Sequence, residues 1–423
     1  MAFLKSITPK KWLTIAVLNF LIVGLLGLMM RLKMIIPMPW MHQKFFLHAH
    51  SHFAFSGWVT HALMVLLLVG VLKTVQSTSN SRDLWKGNLL IMANLVTSYG
   101  MLVSFVLQGY GRYSITFATL SIFVSYFFAA YVWKRCAQWA RTKDQMLVCN
   151  WFKGALVFFV LSSLGTFALS YLMMIRSVDT HKQLASVYFY LHFQYNGWFL
   201  FACLGLFHHW LQTRGIYLKR AKVLLYTFAG ACIPTYFLSV LWWKNMPDWV
   251  YGLVVIASIA QLIVWFVWLV ELWKKKALLR PHSTLMVRFL LLVVGVSFSI
   301  KLVLQALSLI PELSQFAYGF RPIVIGYLHL VLLVIISLFI MALLFMNNYL
   351  QENLIVRVGV IMTVFGILFN EVVLMLQGLA GMLRIFIHHT HQMLVVASVI
   401  ICFGLIIVLL GQLRRPLERG RDS

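Results

Sequence analysis

Four histidines, His48, His50, His52 and His61, fall in the stretch LHAHSHFAFSGWVTHALM, at the start of or inside an apolar run that could cross a membrane. An imidazole in lipid is costly unless it is paired or ligated, so ionisable groups at that depth point to function. The chemistry such a cluster offers is metal or haem ligation, or proton transfer. On a helix of 3.6 residues per turn, His48 and His52 lie one turn apart on one face while His50 points away. The His50-Ser-His52 pair therefore addresses two directions. His61 keeps roughly the azimuth of His50 but lies about 16 Å further along the axis, too far to share a metal with it.

The elements that must position these side chains are membrane spans. The chain has 423 residues, 62% hydrophobic and 11% charged, with a mean hydropathy of +0.88, which belongs to polytopic membrane proteins and not to soluble domains. A net charge of +25 is no nucleic-acid signature here, because the Lys and Arg residues stand in short clusters between apolar runs and read as topology signals. Cys136, Cys149, Cys203, Cys232 and Cys402 are scattered without a CxxC pair, which supports neither a disulfide framework nor a thiolate zinc site. Lys5, Lys10 and Lys11 precede the first apolar run with no small-residue cleavage site after it, so the first span is read as uncleaved.

At about 20 apolar residues per span, twelve spans are expected, near 12–32, 48–72, 87–108, 113–134, 150–175, 187–211, 220–242, 249–272, 284–309, 322–346, 354–378 and 390–411. Lys73, Arg82, Lys86, Lys134, Arg135, Arg141, Lys143, Arg214, Lys219, Arg220, Lys274 to Lys276, Arg280 and the tail from Arg414 to Arg421 fall on the N-terminal side. The positive-inside rule makes that side, and both termini, cytoplasmic. The expectation is one all-α transmembrane domain in a bacterial inner membrane, with the lipid bilayer as partner and no nucleic acid.

In this topology the even-numbered spans begin at the exterior. His48, His50 and His52 on the second, His192 on the sixth, His329 on the tenth, and His388, His389 and His391 on the twelfth then share one depth, which argues for common sites. His52, His192 and His329 are 140 and 137 residues apart. The strings His52-Phe-Ala-Phe-Ser-Gly-Trp58 and His192-Phe-Gln-Tyr-Asn-Gly-Trp198 share an HFxxxGW pattern, and the third copy, Gly326-Tyr-Leu-His329-Leu, keeps only the histidine. Leu107-Gln-Gly109 and Leu376-Gln-Gly378 are a second echo. The reading is three four-helix blocks, roughly 1–140, 141–280 and 281–423.

This layout resembles subunit I of the haem-copper oxidase superfamily, which includes oxygen and nitric oxide reductases, and His50-Ser-His52-Phe-Ala-Phe-Ser-Gly57 is similar to that family's HxH motif. The resemblance implies twelve helices in three arcs and a haem b ligated from the second and tenth helices, here by His50 or His52 together with His329. It implies for His192, with the other member of the HxH pair, a copper ion or second haem. It also implies an electron donor, protein or subunit, at the exterior face. The departures are specific: the seventh span has no histidine, the sixth lacks the HPEVY string, His208 and His209 lie at the cytoplasmic end, and the tenth span has one histidine where the family has two. The ligand set of the usual dinuclear centre is thus incomplete.

Other groups invite separate readings. Met34, Met38, Met41 and His42, with His388, His389, His391 and Met393, offer thioether and imidazole donors of the kind that suit copper. Lys301 and Asn370-Glu371 lie at similar depth in the ninth and eleventh spans and are read either as proton-steering or propionate-contacting groups, or as an ion pair with each other. Glu271 is expected to snorkel at the cytoplasmic rim. Three functions follow: a haem redox enzyme reducing oxygen or nitric oxide, a non-catalytic haem or copper sensor, carrier or tolerance protein, and a proton-coupled transporter with a histidine relay. Pro234 is the one candidate for a broken span.

Overall fold

The computed structural model describes residues 7–74, 81–243, 246–310, 313, 321–385 and 387–413. Lys5, Lys244, Asn245 and the basic tail from Arg414 to Arg421 lie outside them. Among the described residues every regular element is helical, as expected where only a helix can satisfy its backbone within a single segment. In chain order the long helices are α1 (Pro9–Leu32), α2 (Gln43–Phe53, Ala54–Thr60 and His61–Thr74 in one run), α3 (Ser81–Gln108), α4 (Arg112–Trp139) and α5 (Lys143–Met174). There follow α6 (Thr180–His192, Phe193–Phe199 and Leu200–Gln212 in one run), α7 (Ala221–Cys232, then Pro234–Val240), α8 (Asp248–Lys274) and α9 (Leu285–Leu307). The last are α10 (Arg321–His329, Leu330–Ser337 and Leu338–Met346 in one run), α11 (Leu354–Met382) and α12 (Thr390–Leu413). Side chains of Thr8, Thr142, Asp179, Thr284 and Asn353 cap α1, α5, α6, α9 and α11 by accepting first-turn backbone N–H groups.

Ten of these helices are long and apolar enough to cross a membrane, or eleven if α7, bent by 45° at Pro234, is one span. α6 is outside that set, and its position explains why. From Phe193 to Leu211 it is almost wholly buried in protein, so it can carry Gln194, Asn196, His208 and His209 without offering them to lipid. α2 and α10 are also interior: 83% and 72% of their most apolar windows are buried, against 22% for α4.

The three interior helices each change geometry just after a histidine. π-helical turns occupy Ala54–Thr60, Phe193–Phe199 and Leu330–Ser337, following His52-Phe53, His192 and His329. A π turn widens the helix and deprives carbonyls of their usual partners, which must be found elsewhere when buried. In α2 side chains supply them: Asn94 Nδ2 donates to the Ser56 carbonyl (3.1 Å) and Asn19 Nδ2 to that of Gly57 (2.6 Å). In α10 the Ser337 hydroxyl donates to the Leu332 carbonyl (2.7 Å).

The tryptophans of the two HFxxxGW strings behave alike. Trp58 stacks on Phe20 of α1 with ring centroids 4.6 Å apart, and Trp198 stacks on Phe159 of α5 at 4.5 Å. The Trp58 indole donates to Ser337 Oγ on α10 (2.9 Å), and the Trp198 indole to Thr60 Oγ1 on α2 (3.2 Å). Glycine at 197 is required by close approach, since a Cβ there would sit 2.4 Å from Phe158 Cβ.

Beyond the π turns, away from the histidines, the interior helices pack on one another: Leu200–Gln212 lies against both His61–Thr74 and Leu338–Met346. The histidine-bearing halves pack outward instead. Gln43–Phe53 rests chiefly on α3 and α1, Thr180–His192 on α5 and α7, and Arg321–His329 on α11. Arg321–His329 accordingly has no buried residue, and Thr180–His192 has only His192, whereas Leu338–Met346 is buried throughout. The bundle thus has an end where the central helices pack on one another and an end, the histidine end, where they pack chiefly on the outer helices.

Candidate functional site

His50 and His329 both lie at the histidine end, each anchored to a backbone carbonyl. His50 Nδ1 lies 3.0 Å from the Val23 carbonyl of α1, and His329 Nδ1 lies 2.8 Å from the Ile325 carbonyl one turn earlier in α10. A carbonyl only accepts, so each ring carries a hydrogen on Nδ1, and in the neutral ring each Nε2 keeps its lone pair. Gly27 lets the ring lie against α1, because a Cβ there would be 3.4 Å from His50 Cε1. His50 and His329 stand within electrostatic reach of each other and of Arg31, and Arg31 in turn of Glu371. Asn370 Nδ2 donates to Glu371 Oε1 at 3.1 Å. Four helices, α1, α2, α10 and α11, therefore bring two neutral imidazoles, a guanidinium and a carboxyl group into one cluster. The paired donor set, oriented by backbone carbonyls, fits axial ligation of a haem.

His52 points elsewhere. Its Nε2 is 3.2 Å from the Tyr110 hydroxyl, its ring stacks on Phe105 at 4.4 Å, and the ring of His48 lies 4.5 Å from that of Tyr110. Tyr110 sits in the tight connection between α3 and α4.

His192 has a different setting. Its Nε2 is 2.8 Å from the Cys232 carbonyl and its Nδ1 is 3.1 Å from Asn196 Nδ2. A carbonyl takes the ring hydrogen and an amide N–H gives one, so both nitrogens are used. The Cys232 carbonyl is available because α7 breaks at Pro234: Tyr236 N, its partner in a regular helix, bonds to the Ile233 carbonyl instead. His192 thus satisfies a carbonyl exposed by a broken helix.

Lys301 and Glu371 do not form the ion pair weighed from the sequence. α9 packs on α8 and α10, while α11 packs on α10 and α12, so α10 separates the two. Buried Lys301 donates through Nζ to Gln305 Oε1 (2.6 Å), and Gln305 Nε2 donates to Gln261 Oε1 (2.8 Å). Its electrostatic neighbours are Cys232 and His192. Glu271 does more than snorkel: it accepts from the backbone N–H groups of Lys219 (2.5 Å) and Arg220 (3.0 Å) and so caps the start of α7.

The remaining metal candidates are dispersed. His61 lies toward the packed end, with Nε2 3.3 Å from the Trp12 carbonyl and Nδ1 buried without a partner. The rings of His388 and His389 are 6.3 Å apart before α12, and His391 is in its first turn. Among the described residues, no three His, Cys, Asp or Glu side chains gather as a metal site would require. Met38 and Met41 pack with Met29, Met30, Leu26 and Phe46, Met34 is exposed, and His42 stacks on Phe45 at 4.1 Å. Arg31, Tyr110, Asn19 and Asn94 have roles the sequence reading did not give them. Arg31 is the charge in the last turn of α1. No protein-family model matches the chain, and no curated protein matches it in sequence.

Proposed function

We propose that the chain is a haem-binding redox protein of the membrane, similar in design to subunit I of the haem-copper oxidases, with haem b held between His50 and His329. In this reading all twelve long helices cross a bacterial inner membrane as three four-helix blocks, both termini are cytoplasmic, and electrons come from a donor at the exterior histidine end. The observation that carries it is the pair of carbonyl-anchored imidazoles, each with a free Nε2, on interior helices whose histidine-bearing halves pack away from one another. A haem bound there would supply reversible one-electron chemistry. Val23 and Ile325 fix ring orientation and tautomer, Arg31 suits a carboxylate on the porphyrin edge, and the outer helices exclude lipid. The matching π turns and tryptophan contacts of α2 and α6 support the block arrangement.

The setting of His192 supports the non-catalytic form of this function, a haem sensor, carrier or tolerance protein, over oxygen or nitric oxide reduction. With both ring nitrogens engaged it is not poised to bind copper or a second haem. A transporter reading has one observation in its favour, the bend of α7 beside His192 and Lys301.

The deciding experiment is the visible spectrum of the purified protein, oxidised and dithionite-reduced. A sharp bis-imidazole haem band that disappears in His50→Ala and in His329→Ala, and survives in His192→Ala, is the expected result. Colourless protein from haem-replete cells overturns the proposal, and oxygen or nitric oxide consumption by the reduced protein would restore the catalytic form.

A further inference from the structure

Away from the paired histidines, a cavity of about 50 Å³ lies between α2, α4, α5 and α6. Its wall is unusual for the inside of so apolar a bundle: Ser56, Thr60, Ser121, Ser125, Ser162, Ser163, Gln194 and Tyr190 face it alongside Phe55, Ile122 and Phe159. Gln194 is 4% exposed. Its Nε2 donates to Ser162 Oγ at 2.9 Å, and its Oε1 is buried with no partner. A buried amide oxygen left unpaired costs about 1–3 kcal/mol, whereas a water beside it recovers most of that. A water needs roughly 10–15 Å³ of such space and two to four polar neighbours. The cavity exceeds that volume, and its hydroxyls provide the partners.

The same wall leads to the histidine end. Tyr190 lines the cavity and stands within electrostatic reach of Tyr110. The Tyr110 hydroxyl meets His52 Nε2 at 3.2 Å, and Tyr110 is itself 44% exposed at the α3–α4 connection. Ser56, on the cavity wall, donates to the His52 carbonyl at 2.7 Å.

We propose that this cavity is a resident water site inside the bundle, and that its protons communicate with the outside past Tyr190 and Tyr110. The inference is independent of haem binding. Hydroxyls and water hand protons on without changing net charge, so no buried carboxylate is needed along the route.

The test is infrared hydrogen–deuterium exchange on the full chain in lipid vesicles. Ser125→Cys places a thiol on the cavity wall, and its S–H stretch is read as the difference from the parent protein. On transfer to deuterated buffer the S–H band is expected to convert to S–D within minutes. Adding Tyr110→Phe is expected to slow that conversion about tenfold, the rate equivalent of one lost hydrogen bond. An S–H band that persists for a day means a dry void or a lipid tail and overturns the proposal. Exchange indifferent to Tyr110→Phe overturns the route. Ser121→Cys, on the same wall but less buried, serves if Ser125→Cys does not fold.

Discussion

His50 and His192 both precede a π turn of an interior helix, His192 directly and His50 by four residues, two before the His52 that matches His192 in the repeat, and each has a nitrogen on a backbone carbonyl of a neighbouring helix. They differ in the other nitrogen. His50 uses Nδ1 on Val23 and has no hydrogen-bond partner at Nε2, whereas His192 spends Nε2 on Cys232 and Nδ1 on Asn196. Burial alone does not separate a ligand from a structural histidine. The hydrogen-bond inventory of the ring does, because an imidazole has two nitrogens and ligation consumes one lone pair. The difference originates in the neighbour: α1 is regular at Val23 and asks nothing of its visitor, whereas α7 is broken at Pro234 and needs a donor.

The comparison predicts opposite outcomes for the same change. His50→Ala is expected to abolish the reduced haem band while lowering thermal stability little. His192→Ala is expected to keep the band and to destabilise by about 1–3 kcal/mol, because the buried Cys232 carbonyl loses its 2.8 Å partner and keeps only the longer bond from Thr235 Oγ1 (3.3 Å). Both are read by pairing the spectrum with a melting curve in detergent. Loss of haem in His192→Ala with unchanged stability would reverse the assignment. A smaller effect is expected at the tryptophans: Trp58→Phe and Trp198→Phe keep the ring stack on Phe20 or Phe159 and remove one indole hydrogen bond. Each should cost about 1 kcal/mol, and the comparison weakens if only one does.

The helix positions were readable from hydropathy because lipid imposes one rule on every span, and the spacing of His50 and His52 gave their divergent directions from helix geometry alone. The HFxxxGW pattern announced a repeat but not its meaning. Its tryptophans reach partners 279 and 138 residues away, and a π turn has no composition of its own. His192 reads as a candidate ligand from the sequence, and the Cys232 carbonyl that meets its Nε2 is a main-chain group that no side-chain pattern displays. An ion pair of Lys301 with Glu371 is one of the two readings their shared depth allows, and depth says nothing of which helix stands between them. Gln194 counted only as a repeat position, since an orphan oxygen exists only once its surroundings are known.

The smallest expected effect concerns how the histidine-bearing half of α6 begins. Asp179 caps it, with Oδ1 accepting from Lys182 N at 3.1 Å and the carboxylate 3.2 Å from Lys182 Nζ. His42, at the corresponding start of α2, makes no side-chain cap. The Lys182 backbone N–H, with its side chain and then its charge, holds the Asp179 carboxyl below its ordinary value. A carboxyl whose folded value is depressed stabilises the fold above its unfolded value, and that contribution fades as pH falls through the folded one. Asp179→Asn is therefore expected to lower the melting temperature slightly at pH 7, and by less as the pH drops below 4. The same pH series on the parent protein with His42→Asn should show a gain, since asparagine would cap a helix start that now has none. If Asp179→Asn is neutral at pH 7, the charge opposite Lys182 contributes nothing that an asparagine cap does not also supply, and the contrast between the two helix starts reduces to the presence of a cap.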